Sequence, residues 1–96
     1  MKTNKYKLYI GANNITGAVD HINAKRILSK YAQGFNIVDC VGFWDSSEEN
    51  CITAELIATD TQIINDKTIK ELKLELEREL KQFLVLTTCE EINLIE

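Results

Sequence analysis

FNIVDCVGFWDSSEENCITAELIAT, residues 35–59, decides the fold. Phe35, Ile37, Val41 and Phe43 share one parity, interrupted by Asp39, while Val38, Cys40 and Trp44 share the other. That alternation predicts a strand over Phe35–Trp44, apolar in part on both faces. Asp45-Ser46-Ser47-Glu48 is a short polar break. Alternation resumes over about Asn50–Thr59, with Ile52, Ala54, Leu56 and Ala58 on one side and Cys51, Thr53, Glu55 and Ile57 on the other. Two such runs around a polar turn predict a hairpin.

What flanks the hairpin sets the topology. Upstream, Tyr6, Leu8 and Ile10 alternate with Lys5, Lys7 and Tyr9, a strand with one apolar face. The loop Gly11-Ala-Asn-Asn-Ile-Thr-Gly17 follows, rich in residues that suit tight turns and side-chain-to-backbone bonds. Asp20 is an N-cap, with Val19 and Ala24 at the hydrophobic-staple positions. Ala24, Ile27, Leu28 and Tyr31 then repeat at helical spacing until Gly34. Downstream, Asn65 or Asp66 caps a second helix with the stripe Ile69, Leu72, Leu76, Leu80 and Phe83. Its charges, Lys70 to Lys81, form a solvated face. A last strand is expected over Phe83–Thr88, with Ile92 and Leu94 extending it or forming a short strand of their own. The order is β-α-β-β-α-β, an α+β ferredoxin-like domain with two helices on one face of an antiparallel sheet.

The chain has 96 residues, enough for a single domain, 1–96. Its apolar fraction, 45%, and charged fraction, 27%, supply an ordinary core and exclude a disordered chain. No apolar run reaches the length of a membrane span, and no signal core follows Met1–Lys7. The expected location is the cytoplasm. The three cysteines, Cys40, Cys51 and Cys89, have no metal-like spacing and are expected as buried free thiols.

Net charge is −4, which argues against a nucleic-acid polymer as partner. The charges are unevenly spread: residues 1–44 hold six basic and two acidic groups, residues 45–96 five and thirteen. Either a basic patch survives in the first half, or the halves complement one another within the fold or between subunits.

The sheet face away from the helices collects Tyr9, Val38, Cys40, Trp44 and Ile57. A half-apolar open face predicts a homo-oligomer, a dimer or higher, most simply through a two-fold interface.

Motifs for chemistry are sparse. His21 is the only histidine, at the first position of a helix; it is either a surface residue or a neutral base. No metal site, Walker loop or dinucleotide fingerprint is present, and no cofactor is expected. Trp44 is either a packing residue or a stacking platform for a base, with Glu48, Glu49 and Glu55 near it in sequence.

Leu8-Tyr9-Ile10-Gly11-x-Asn13-Asn14-x-Thr16-Gly17, then Gly34-Phe35-x-Ile37, Gly42-Phe43-Trp44, Glu48/Glu49 and the Ile52–Ile57 strand form a pattern over residues 6–60. It resembles an uncharacterised family of small proteins from bacteria and their phages, with a ferredoxin-like fold and a Gly-x-Trp signature on the second strand. The second helix matches in character only. Proteins of that type include phage anti-defence sponges, oligomers that sequester cyclic nucleotide or cyclic ADP-ribose immune signals in the host cytoplasm. By that analogy the chain is a non-enzymatic oligomeric binder of a small anionic, nucleotide-like phosphorylated ligand. Its ligand-binding residues would be Asn13, Asn14, Thr16, Lys25, Arg26 and Trp44, in a pocket at a subunit interface. Two alternatives stay open. One is a small ferredoxin-like enzyme with His21 or Glu55 as base. The other is a protein-binding inhibitor that uses the acidic helix face, Glu71 to Glu79.

Overall fold

The computed structural model describes residues 1–95. The elements are β1 (Lys2–Ile10), α1 (His21–Tyr31), β2 (Asn36–Trp44), β3 (Ser47–Ile57), α2 (Asp66–Glu79) and β4 (Leu86–Asn93). The sheet runs β2-β3-β1-β4, with every neighbouring pair antiparallel. This is the expected ferredoxin-like order. Tyr6, Leu8 and Ile10 of β1 and Ile52, Ala54 and Leu56 of β3 form the floor of the core. Ala24, Ile27 and Leu28 of α1 and Ile69, Leu72 and Leu76 of α2 pack onto it.

Both helices start on the expected caps. Asp20 Oδ1 accepts the Asn23 backbone N–H at 3.0 Å, and Oδ2 accepts Asn23 Nδ2 at 2.7 Å. These bonds hold the Asp20 carboxyl below its ordinary value, the backbone bond most of all. Asn65 caps α2 by accepting the Thr68 N–H at 2.9 Å. The stops differ from expectation. Extended backbone at Ala32 already ends α1, before Gly34. α2 ends at Glu79, and Phe83 is 92% exposed and outside the core stripe. Lys81 takes a left-handed conformation (φ 55°), and the Gln82 N–H donates to the Glu77 carbonyl at 2.9 Å, a Schellman closure. A glycine adopts that conformation without steric penalty. Lys81→Gly is therefore expected to raise stability by about 1 kcal/mol, read as a higher urea midpoint at unchanged slope.

Because α2 stops early, β4 begins at Leu86 rather than Phe83, and its alternation carries Ile92 into the same strand. The face of α2 is also less solvated than the charge run implies. The Glu75 and Glu77 side chains are only 13% and 15% exposed. Glu75 accepts from Lys30 Nζ and, at 2.7 Å, from the Tyr31 hydroxyl. The Lys30 bond, then the Tyr31 bond, lowers its carboxyl. Glu77 Oε2 accepts Lys73 Nζ at 2.6 Å and the Val85 N–H at 2.8 Å.

The cysteine expectation is overturned. Register places Cys40 directly opposite Cys51 with Cα atoms 5.0 Å apart, within the span of a disulfide, and the two sulfurs are bonded. Cys89 is free but exposed. Their distance in sequence concealed a contact that only the hairpin register creates.

The open face carries Tyr9, Val38, Cys40, Trp44 and Ile57, as their parity required. Its centre is charged, however. Lys5 Nζ lies 3.1 Å from Glu90 and 3.6 Å from Glu55, and Lys7 Nζ lies 3.8 Å from Glu55. The hairpin, by contrast, carries several exposed apolar residues. β1 last pairs with β3 at Ile10↔Ile52, so beyond that point β2 and β3 continue as a two-stranded arm. Asp45 (φ 49°) and Ser46 (φ 63°) close it as a two-residue turn, and with both residues in the left-handed conformation its twist matches the right-handed twist of the strands. Val41, Phe43 and Trp44 on the arm are 64%, 72% and 73% exposed.

A candidate active-site cleft at the start of the first helix

The β1–α1 loop delivers the first residues of α1 against β2. Its shape is built into its own side chains. Asn13 Oδ1 accepts the N–H groups of Ile15 (2.7 Å) and Thr16 (3.1 Å), and Thr16 Oγ1 accepts the Ala18 N–H at 3.3 Å. Gly17 is left-handed (φ 73°), and its N–H returns to the Asn13 carbonyl at 2.8 Å. The base of the loop is pinned from two sides. Ala12 N–H donates to Glu49 Oε1 at 2.9 Å, and Gly11 N–H donates to Gln82 Oε1 at 3.1 Å. A Cβ on Gly11 would overlap that Glu49 oxygen, so a larger residue here would push the Glu49 carboxylate aside from its bond to Ala12.

With the loop fixed, His21 meets Asp39 across the gap between α1 and β2, Nε2 to Oδ1 at 2.8 Å. The pair forms one wall of a cleft of about 360 Å³, lined also by Val19, Val41, Asn50 and the Cys40–Cys51 bridge. That volume lies at the low end for small-molecule sites. The His21 and Asp39 side chains are 45% and 83% exposed, so both are available to a ligand. Chemically, the cleft offers apolar walls for a flat ring, a carboxylate for a cation or a hydroxyl pair, and an imidazole beside it. No cluster of His, Cys, Asp and Glu among the described residues has the makings of a metal site.

The expected ligand residues are spread over three places. Asn13, Asn14 and Thr16 share the β1–α1 loop, where the Asn13 and Thr16 side chains bond the loop itself. Lys25 and Arg26 lie on the outward side of α1, with Arg26 Nε donating to Asn23 Oδ1 at 3.2 Å. Trp44 lies at the arm tip with the parity of the open face, across the sheet from the helices. Glu55, one of the two candidate bases, is held on that same open face by Lys5 and Lys7. Sequence reading missed Asp39 and Asn50. The signal for Asp39 was its interruption of an apolar parity on β2.

No family model matches the chain, and neither does any curated protein. Solved structures do. A phage SAM lyase in complex with S-methyl-5′-thioadenosine matches with a TM-score of 0.66 at 17% identity, over 93% of this chain and 81% of that one. A phage SAM lyase in the apo state matches with a TM-score of 0.64 at 14% identity, over 94% and 81%. At such identities the likeness establishes the fold. It also overturns the expectation of a non-enzymatic sponge, because these two structures, which match over more than nine tenths of this chain, are of an enzyme by name. The ferredoxin-like fold stands; the sponge does not. Among the described residues, no helix is long and apolar enough to cross a membrane.

Proposed function

We propose that this chain is a small lyase acting on an adenosyl sulfonium compound, SAM itself in the first instance. The observation that carries this reading is the fold shared across nearly the whole chain with a phage SAM lyase. The chemistry suits a protein without a catalytic constellation. The carboxylate of the methionine chain attacks its own Cγ, the Cγ–S bond breaks, and the electron pair goes to sulfur. The products are S-methyl-5′-thioadenosine and homoserine lactone; no proton moves, and the negative and positive charges cancel. Such a step needs the reacting chain held in a ring-like conformation and water kept away from charges that disappear in the transition state.

In this reading Val19 and Val41 supply apolar walls, and Asp39 faces the cation. Lys25, Arg26 and Asn14 supply donors to the carboxylate end, with Asn13 and Thr16 holding the loop in shape. Trp44 stacks on the adenine ring from a neighbouring copy, since its own α1 is on the far side of the sheet. The shallow cleft of one chain and its exposed apolar arm both favour an oligomer.

Purified protein incubated with SAM is expected to yield S-methyl-5′-thioadenosine and homoserine lactone well above a protein-free blank, followed by liquid chromatography with mass detection. SAM recovered intact, free or bound, would overturn the proposal. The same assay assigns His21. Lactone formation requires no base, so His21→Ala should keep turnover within about tenfold, short of the roughly hundredfold or more that a general base supplies. A loss of a hundredfold or more would point to elimination from Cβ with His21 as base.

A further inference from the structure

We infer that the Cys40–Cys51 bridge is a thiol–disulfide exchange site: a small dithiol opens it in the folded protein, and opening it frees the β1–α1 loop that carries the cleft. Its place in the fold carries the inference. β1 last pairs with β3 at Ile52, and the next register pair outward is Cys40↔Cys51. The bridge therefore staples the arm at its root, where β3 loses β1 as a neighbour. Two residues further out, Glu49 reaches back and accepts the Ala12 N–H at 2.9 Å. Bridge, arm root, Glu49 and loop form one line of contacts that leads to His21. Neither cysteine belongs to the buried core, so the fold survives without the bond.

The two sulfurs are not equivalent. Both cysteines are half-buried. Gly42, next on the same face of β2, puts no side chain beside Cys51; a Cβ there would stand 3.8 Å from its Sγ. Thr53 lies on the other side, its hydroxyl 3.5 Å from Cys40 Sγ. A bridged sulfur has no proton, so the hydroxyl donates. A thiolate of the dithiol attacks Cys51 Sγ and forms a mixed disulfide. The S–S electron pair leaves with Cys40, whose thiolate the Thr53 hydroxyl stabilises. The second thiol of the reductant then closes on the first and releases Cys51. Two electrons pass from the dithiol to the pair, and its two protons end on the cysteines. Cys89 takes no part. It lies opposite Tyr6, itself opposite Leu56, which is on the order of 16 Å along β3 from Cys51.

The test needs no activity. Oxidised protein is held in native buffer with dithiothreitol, sampled into denaturant with an alkylating reagent, and weighed intact. It should carry one alkyl group at the start, on Cys89, and three at the end, with an unchanged circular dichroism spectrum. Thr53→Val should slow opening about three- to tenfold, as loss of one hydrogen bond does, while Thr53→Ser keeps the rate. Gly42→Val, which covers Cys51, should slow it as well. On opening, amide hydrogen exchange at Ala12 should rise about tenfold or more, while that of Leu8 and Leu72 in the core stays the same. Cys40→Ser with Cys51→Ser should show the faster exchange with or without reductant. Three alkyl groups at the start, a bridge that opens only as the fold melts, or an unchanged rate at Ala12 each overturns the inference. Equal opening rates for Thr53→Val and wild type overturn the assignment of Cys40 as the leaving sulfur.

Discussion

Replacing Ile27 with alanine should destabilise the protein by about 3 kcal/mol and lower its melting temperature by roughly 10–25 °C. Ile27 is fully buried, and α1 reaches the core through only three fully buried side chains, Ala24, Ile27 and Leu28. Removing three carbons from one of the two large buried side chains of a short helix leaves a cavity in the core. Against a total of about 5–15 kcal/mol for a domain of ordinary stability, that is a large fraction. The consequence extends to the cleft, because His21 is carried by the first turn of the same helix and meets Asp39 only while α1 is seated. Thermal melts followed by circular dichroism measure the effect. A loss below about 1 kcal/mol would mean that α1 is anchored elsewhere.

The second large effect is expected at Glu77. One of its oxygens serves both Lys73 Nζ and the N–H of Val85, a residue with no solvent exposure. Glu77→Ala removes the acceptor of a buried amide and should destabilise by about 2 kcal/mol. The carboxyl also makes stability depend on pH. Burial pushes the Glu77 carboxyl up, but the Lys73 and Val85 bonds outweigh it and leave the group below the ordinary carboxylate value. A carboxyl lowered on folding contributes stability above its unfolded value, about 4.3, and loses it as pH falls through the folded value. Urea midpoints should therefore fall as pH drops below about 4, and fall less steeply in Glu77→Gln. Identical slopes for the two proteins would remove Glu77 from the acid response. At the alkaline end, burial and the bond to Asp66 push the Tyr6 hydroxyl up to about 12. That preference for the neutral phenol stabilises the fold below about 10 and is lost as pH rises through about 12.

The fold was legible because its signals are local. Tyr6, Leu8 and Ile10, or Ile69, Leu72 and Leu76, declare their elements by spacing alone, and the order of elements follows. The candidate site was not, because its contacts are set by register between strands and by where a helix lands. His21 and Asp39 are separated by 18 positions and Cys40 and Cys51 by 11, with nothing in either interval to announce the pairing. The acidic run of α2 misled for a related reason. Spacing shows which side of a helix is polar, but not that Lys30, Tyr31 and the Val85 amide will come to Glu75 and Glu77.

The arm tip makes the molecule its own optical gauge. Trp44 is the only tryptophan in the chain and stands 73% exposed at the end of β2. Indole emission shifts to shorter wavelength as water leaves the ring, and Tyr6, Tyr9 and Tyr31 drop out when excitation is moved to the red edge. An uncovered arm should therefore emit like free indole in water, while an arm seated on another molecule, or a ring stacked on a purine, should emit to the blue or be quenched. Diluting the protein while recording that single band would follow assembly in solution without a label.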